Sequence, residues 1–147
     1  MSDSKYPDFE KLGGKVMLEK ISKVFYDKVY EHAWIGLYFK EVPQERIESQ
    51  QVDFMQGALG GPTSYCGRLP VPAHKHMFIN EELFDIRQEL LQEAFVEACA
   101  CQELIDKWLR IDNAFRPKLV KKNIGDCEKR FFTDEIVLFK DPRKKAA

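Results

Sequence analysis

The stretch AHKHMFINEELFD, residues 73–85, sets two histidines one residue apart just ahead of a helix start. Asn80 followed by Glu81 and Glu82 reads as that start. The Asn side chain caps a free backbone N–H, and acidic residues suit the positive end of a helix dipole. The helix it opens carries Leu83, Ile86, Leu90, Leu91, Ala94 and Phe95 at helical spacing. His74 and His76 are harder to place. Two residues apart on a helix they project about 200° from one another and cannot share an ion. In an extended segment they can, but no third ligand stands at a suggestive spacing. A metal pair, one ligand beside a bystander, and two loop side chains all stay open here.

Working outward, the dominant period is helical. After Gly13-Gly14, the residues Leu18, Ile21, Phe25 and Val29 form an apolar stripe, predicting a helix over about 15–30. Trp34, Leu37, Tyr38 and Phe39 make an aromatic knot before Pro43. A second helix is predicted over 44–59, with Ile47, Gln51, Phe54, Met55 and Ala58 on one face. Gly60-Gly61-Pro62 ends it, and residues 63–72 read as a loop. A last long helix has Leu104, Ile105, Trp108, Ile111, Phe115 and Leu119 as its face, with an end or kink expected near Pro117. From about residue 123 the chain is a mixed tail, in which FFTDEIVLF is able to dock on the body. No repeat and no strand alternation appears, so the fold class is all-α.

With 147 residues, 44% of them hydrophobic, the chain has enough to bury one core. A formal net charge of −1 provides no overall field for nucleic acid or an anionic membrane, so neither is an expected partner. The basic runs PKLVKK and DPRKKAA read as a solvated helix end and a frayed tail. There is no apolar run of spanning length and no signal-peptide pattern at the N-terminus, which predicts a cytoplasmic protein. Cys66, Cys99, Cys101 and Cys127 fit that compartment as free thiols. Cys99 and Cys101, two apart in a helical pattern, point to nearly opposite sides, and a structural zinc site is not expected.

Three kinds of residue break the apolar pattern. Gln51 lies in line with Ile47, Phe54 and Met55, where an unpartnered amide costs about 1–3 kcal/mol. Tyr26 flanks the first stripe, a position tyrosine tolerates when its hydroxyl is paired. His32 belongs to an acidic, exposed YEHAW turn. Periodicity alone stops at a helical bundle with an inner polar pocket.

FYDKVY, followed by RIESQQVDFMQGALGGP and AHKHMFINEELFD, resembles the truncated (two-over-two) haemoglobins, nearest to group I, over about residues 9–119. The resemblance implies two antiparallel helix pairs sandwiching a haem. It also implies a globin domain over residues 1–122 and a C-terminal extension over 123–147. Haem b is the implied cofactor, with His74 as the proximal iron ligand and His76 in reserve. Tyr26 and Gln51 fall on the family's distal positions, where their polar groups stabilise a bound diatomic ligand. Phe25, Tyr38, Phe39, Ile47, Gln50, Phe54, Met55, Ile79, Phe84 and Trp108 are the remaining residues expected to line the cofactor. Gln50 stands where some relatives carry a basic residue, which leaves anchoring at the haem edge unassigned. Arg87 occupies a position usually aliphatic in the family, and nothing in the sequence accounts for it.

The function implied is reversible binding of O2 and other diatomics such as NO and CO. Storage of O2 is one role, and NO detoxification by dioxygenation, or weak peroxidase activity, are enzymatic extensions that need an external reductase or electron donor. A gas or redox sensor acting through a partner protein is the alternative. A haem-free bundle holding a metal through His74 and His76 is a third.

Overall fold

The computed structural model describes residues 5–63 and 69–144. Cys66 and most of the expected 63–72 loop lie outside the described residues. The helices are α1 (Pro7–Lys11), α2 (Gly14–Glu31), α3 (Gln44–Ala58), α4 (Pro70–His74), α5 (Glu81–Glu97) and α6 (Gln102–Leu119), with 3-10 turns at Ile35–Phe39 and Ile124–Asp126. Among the described residues there is no strand, only one parallel bridge between Met77 and Val137. None of the described helices is long and apolar enough to cross a membrane.

α2 is the hub, packed against α3 on one side and α5 on another, while α6 lies against α5 and the short α4. The expected stripe of α2 is the buried one: Leu18, Ile21, Phe25 and Val29 are all inside. They meet Leu91, Ala94 and Phe95 of α5, and Leu104 and Trp108 of α6, in a single cluster. Each fully buried large apolar side chain contributes about 1.5–3 kcal/mol, so this cluster holds the helices in register.

The ends obey local chemistry. The Asn80 side chain accepts a 2.8 Å hydrogen bond from the Leu83 N–H, as its cap reading requires. Gly60, at φ 88°, takes the left-handed turn that stops α3. α4 begins at Pro70, so the expected loop ends at Leu69; proline suits the first turn of a helix because no N–H is needed there. Pro117 sits inside α6, which ends two residues later at Leu119. Cys99 and Cys101 are not helical. Cys99, at φ 59°, closes α5 with the Ala100 N–H bonded to the Phe95 carbonyl at 2.9 Å and its own N–H to Val96 at 3.1 Å.

α3 carries two stripes rather than the expected one. Val52, Met55, Gln56 and Leu59 face the core, while Ile47, Gln51 and Phe54 form a second, partly buried row. Ala58, expected on the inner face, is exposed. The residues after α6 run back across the molecule. Phe78 N–H donates to Val137 O at 2.8 Å, Val137 N–H to His76 O at 2.9 Å, and the Trp34 indole to Phe139 O at 2.8 Å.

Candidate functional site: a buried polar pair and a neutral histidine

The buried row of α2 delivers Tyr26 to the interior, 5% exposed. Its ring is enclosed by Phe25 at 4.8 Å, Phe39 at 6.0 Å and Tyr30 at 6.5 Å between centroids, all edge-on. Such contacts stabilise by about 0.5–1.5 kcal/mol each and fix the ring's direction. The hydroxyl then donates to Gln51 Oε1 across 3.4 Å. Burial pushes the Tyr26 hydroxyl well above the usual phenol range, and the positive charge of Arg87 opposes that rise. It stays protonated and able to donate. Gln51 thereby has a partner, which is how an amide survives in an apolar row.

Ile47 and Phe54 extend the same row, with Phe54 reaching Phe115 of α6 at 6.2 Å, and Met55 is buried beside them. Gln50 is partly exposed on the neighbouring side. Gln56, which the sequence reading passed over, is buried and serves the loop: its amide donates to Pro62 O at 2.9 Å.

His74 closes α4. Its Nδ1 lies 2.6 Å from Pro70 O. A carbonyl only accepts, so Nδ1 carries the proton and Nε2 keeps a lone pair. Burial lowers its pKa to about 4 despite the carbonyl, which pulls the other way. The imidazole is therefore neutral at pH 7 and in the tautomer that ligates a metal through Nε2. Haem iron is a group that such a donor suits. His76 is more buried than His74, 3% exposed, and it lies under the C-terminal segment, where its charge bears on Asp134. The two histidines have different surroundings. Among the described residues no group of three or more His, Cys, Asp or Glu side chains is placed to hold a bare metal ion.

The backbone around His74 is held from outside. Ile79 O accepts the Lys121 N–H at 2.8 Å. The Lys121 ammonium donates to His74 O at 2.8 Å, Met77 O at 2.7 Å and Leu119 O at 3.2 Å. This corrects the reading of PKLVKK as solvated throughout, because Lys121 is 9% exposed. Tyr38, expected against the cofactor, uses its hydroxyl to donate to Phe78 O at 2.9 Å and to accept from Phe139 N–H at 3.2 Å. His32 is only half-exposed; its Nδ1 accepts from both Trp34 and Ile35 N–H groups at 3.2 Å. Trp108 packs edge-on against Phe95 at 5.4 Å and is a core side chain. Phe84 is buried under the guanidinium groups of Arg87 and Arg116.

The family model of the bacterial-like globins matches residues 8–119 of this chain, from the second residue of α1 to the last of α6. The chain belongs to that family. A group 1 truncated hemoglobin of Tetrahymena thermophila is 33% identical over 103 residues, covering 70% of this chain and 85% of the relative. That of Tetrahymena pyriformis is 29% identical over 114 residues, covering 78% and 94%. The structure of the T. pyriformis protein in its Fe(III) form superposes with a TM-score of 0.70, spanning 78% of this chain and 97% of that one at 29% identity. A 2/2 hemoglobin from Synechococcus sp. PCC 7002, described with covalently attached heme, gives 0.69 at 26% identity over 78% and 98%. The expected fold is thus the one found: α2 with α3 and α5 with α6 make the two-over-two sandwich of a truncated haemoglobin. As a globin, the chain has a fold built to hold haem and a small ligand.

Proposed function

We propose that this truncated haemoglobin holds haem b through His74 and binds O2 and other diatomics reversibly, with Tyr26 and Gln51 stabilising the ligand. The observation that carries the reading is the His74 hydrogen bond to Pro70 O, which leaves a neutral imidazole with Nε2 available. Haem b supplies an iron centre that takes a diatomic ligand. The chain's own groups do the rest. Pro70 O fixes the His74 tautomer, Lys121 and the residues after α6 hold the backbone on which it sits, and Phe25, Phe39, Ile47 and Phe54 exclude water. Tyr26 O–H and the Gln51 amide offer donors to a polarised ligand, and such donors slow its release. Storage or delivery of O2 is the role this pair supports best. Conversion of NO to nitrate is the further reaction such a pocket admits, and it requires an external electron donor.

Haem titration of the purified protein tests the cofactor: a Soret band is expected, and its absence after supplementation removes the reading. His74→Ala should lose stable incorporation; loss in His76→Ala instead would move the ligand. Tyr26→Phe and Gln51→Ala should each speed O2 release by roughly five- to tenfold, the worth of one hydrogen bond of about 1–1.4 kcal/mol. Unchanged release in both removes the distal-pair argument. The sensor alternative has one observation in its favour, the bonding of the segment around Val137 to the residues just after His74.

A further inference from the structure

Arg87 of α5 is directed inward. Its guanidinium carbon stands 5.6 Å from the ring centroids of both Phe25 and Phe84. Its charge is felt at the Tyr26 hydroxyl and at the His74 imidazole alike. A single nitrogen, Nη1, donates to both oxygens of Asp112 on α6, each at 2.6 Å. Asp112 is 8% exposed and also accepts from the Gln88 amide at 3.1 Å, while that amide bonds Asn113 at 2.7 Å. Asp112 is thus held on the α6 side. Arg87 Nε and Nη2 have no acceptor among the described residues.

A purely structural reading makes this an α5–α6 ion pair. That reading explains little, because an ion pair with one buried partner adds small net stability over apolar residues of similar volume, and this position is flanked by two phenylalanines. Guanidinium charge is delocalised over three nitrogens and cannot be shed at accessible pH. With one nitrogen engaged, the guanidinium keeps a lasting positive charge against the Phe25 ring, whose edge-on partner at 4.8 Å is Tyr26.

We propose that Arg87, oriented by Asp112 and Gln88, is a charge-selecting residue of the pocket that favours small monoanions over neutral ligands. The inference rests on the haem reading above and adds to it a ligand class. Asp112 and Gln88 are positioning residues: they set the direction and the net strength of the charge.

Haem-loaded ferric protein, titrated separately with azide and with neutral imidazole, tests this. Arg87→Met should weaken azide binding by about tenfold, the scale of one partly neutralised charge several ångströms away in a medium of intermediate dielectric, with imidazole affinity within twofold. Arg87→Lys should keep most of the azide preference. Asp112→Asn removes the counter-charge and should strengthen azide binding several-fold, a direction that a structural pair does not predict. Because Arg87→Met strands a buried carboxylate, Arg87→Met with Asp112→Asn is the variant that preserves the fold, and with neither charge present its azide preference should lie above that of Arg87→Met and below that of Asp112→Asn. An azide-to-imidazole ratio equal in all variants overturns the proposal, as does a ratio that follows stability rather than charge. A change confined to haem affinity assigns Arg87 to a haem carboxylate instead, and also overturns it. Failure of the wild type to show a Soret band removes the haem reading itself, and this inference with it.

Discussion

Lys121→Met is the most informative single change outside the pocket. The substitution keeps the length of the aliphatic stem and deletes only the ammonium. That group donates to His74 O, Met77 O and Leu119 O at 2.8, 2.7 and 3.2 Å, so it ties the end of α6 to the backbone on both sides of His76. Hydrogen bonds from a charged donor contribute about 1.5–3 kcal/mol each. Two here are short and the third adds little, while burial of the ammonium, which lowers its pKa, offsets part of the gain. A net loss of about 2–3 kcal/mol follows. For a chain of this size about 1 kcal/mol moves the thermal midpoint by ~3 °C, so the variant should melt ~6–9 °C lower. Hydrogen exchange should locate the effect, with the Phe78 and Val137 amides losing protection before those of α2. A midpoint within about 2 °C of wild type, or uniform loss of protection, refutes the reasoning.

Two further outcomes test other parts of the fold. Burial raises the Tyr26 pKa above its ordinary 10.0, so its stabilising contribution is complete below pH 10 and is lost as pH climbs toward the folded-state value. Unfolding free energies measured by denaturant from pH 9 upward should therefore fall more steeply in wild type than in Tyr26→Phe, by up to ~1.4 kcal/mol per pH unit; parallel curves count against it. Gly36→Ala puts a methyl carbon 2.9 Å from the backbone oxygens of both Val29 and Tyr30, neither of which can rotate away. It should cost about 1–3 kcal/mol in chemical unfolding, and a neutral result means that the corner after α2 yields.

What the sequence made legible was whatever repeats locally. The stripe of α2 and the Asn80 cap depend on residues within one or two turns, and both are present as read. Tyr26 and Gln51 stood out as polar breaks, and the structure joins them across 25 positions. α3 was half-read. Its core row at Val52, Met55, Gln56 and Leu59 was hidden because the row containing Ile47, Gln51 and Phe54 has an equally good period. A helix touching two different surroundings carries two overlapping stripes, and spacing alone does not rank them. Arg87 with Asp112, and Lys121 with three carbonyls, left no local signal: their partners lie 25 to 47 positions away in all but one contact. A lysine within PKLVKK looks solvated until its acceptors are known. Cys99 was missed for a different reason, since non-glycine residues seldom take a left-handed helix end.

The pairing of Val137 with His76 and Phe78 bears on the order in which the protein can be built. A chain emerges N-terminus first, so α2 and α3, with Tyr26 and Gln51, are available while later residues are still being joined. The segment carrying His74 then waits until residues near 137 have been made, about 60 positions on and ~3–12 s later at ordinary elongation rates of about 5–20 residues per second. During that interval the α2–α3 packing that joins Tyr26 to Gln51 can form while the residues just after His74 lack their backbone partner. Completion of the backbone bonding beside His74 is thereby a late event of biogenesis.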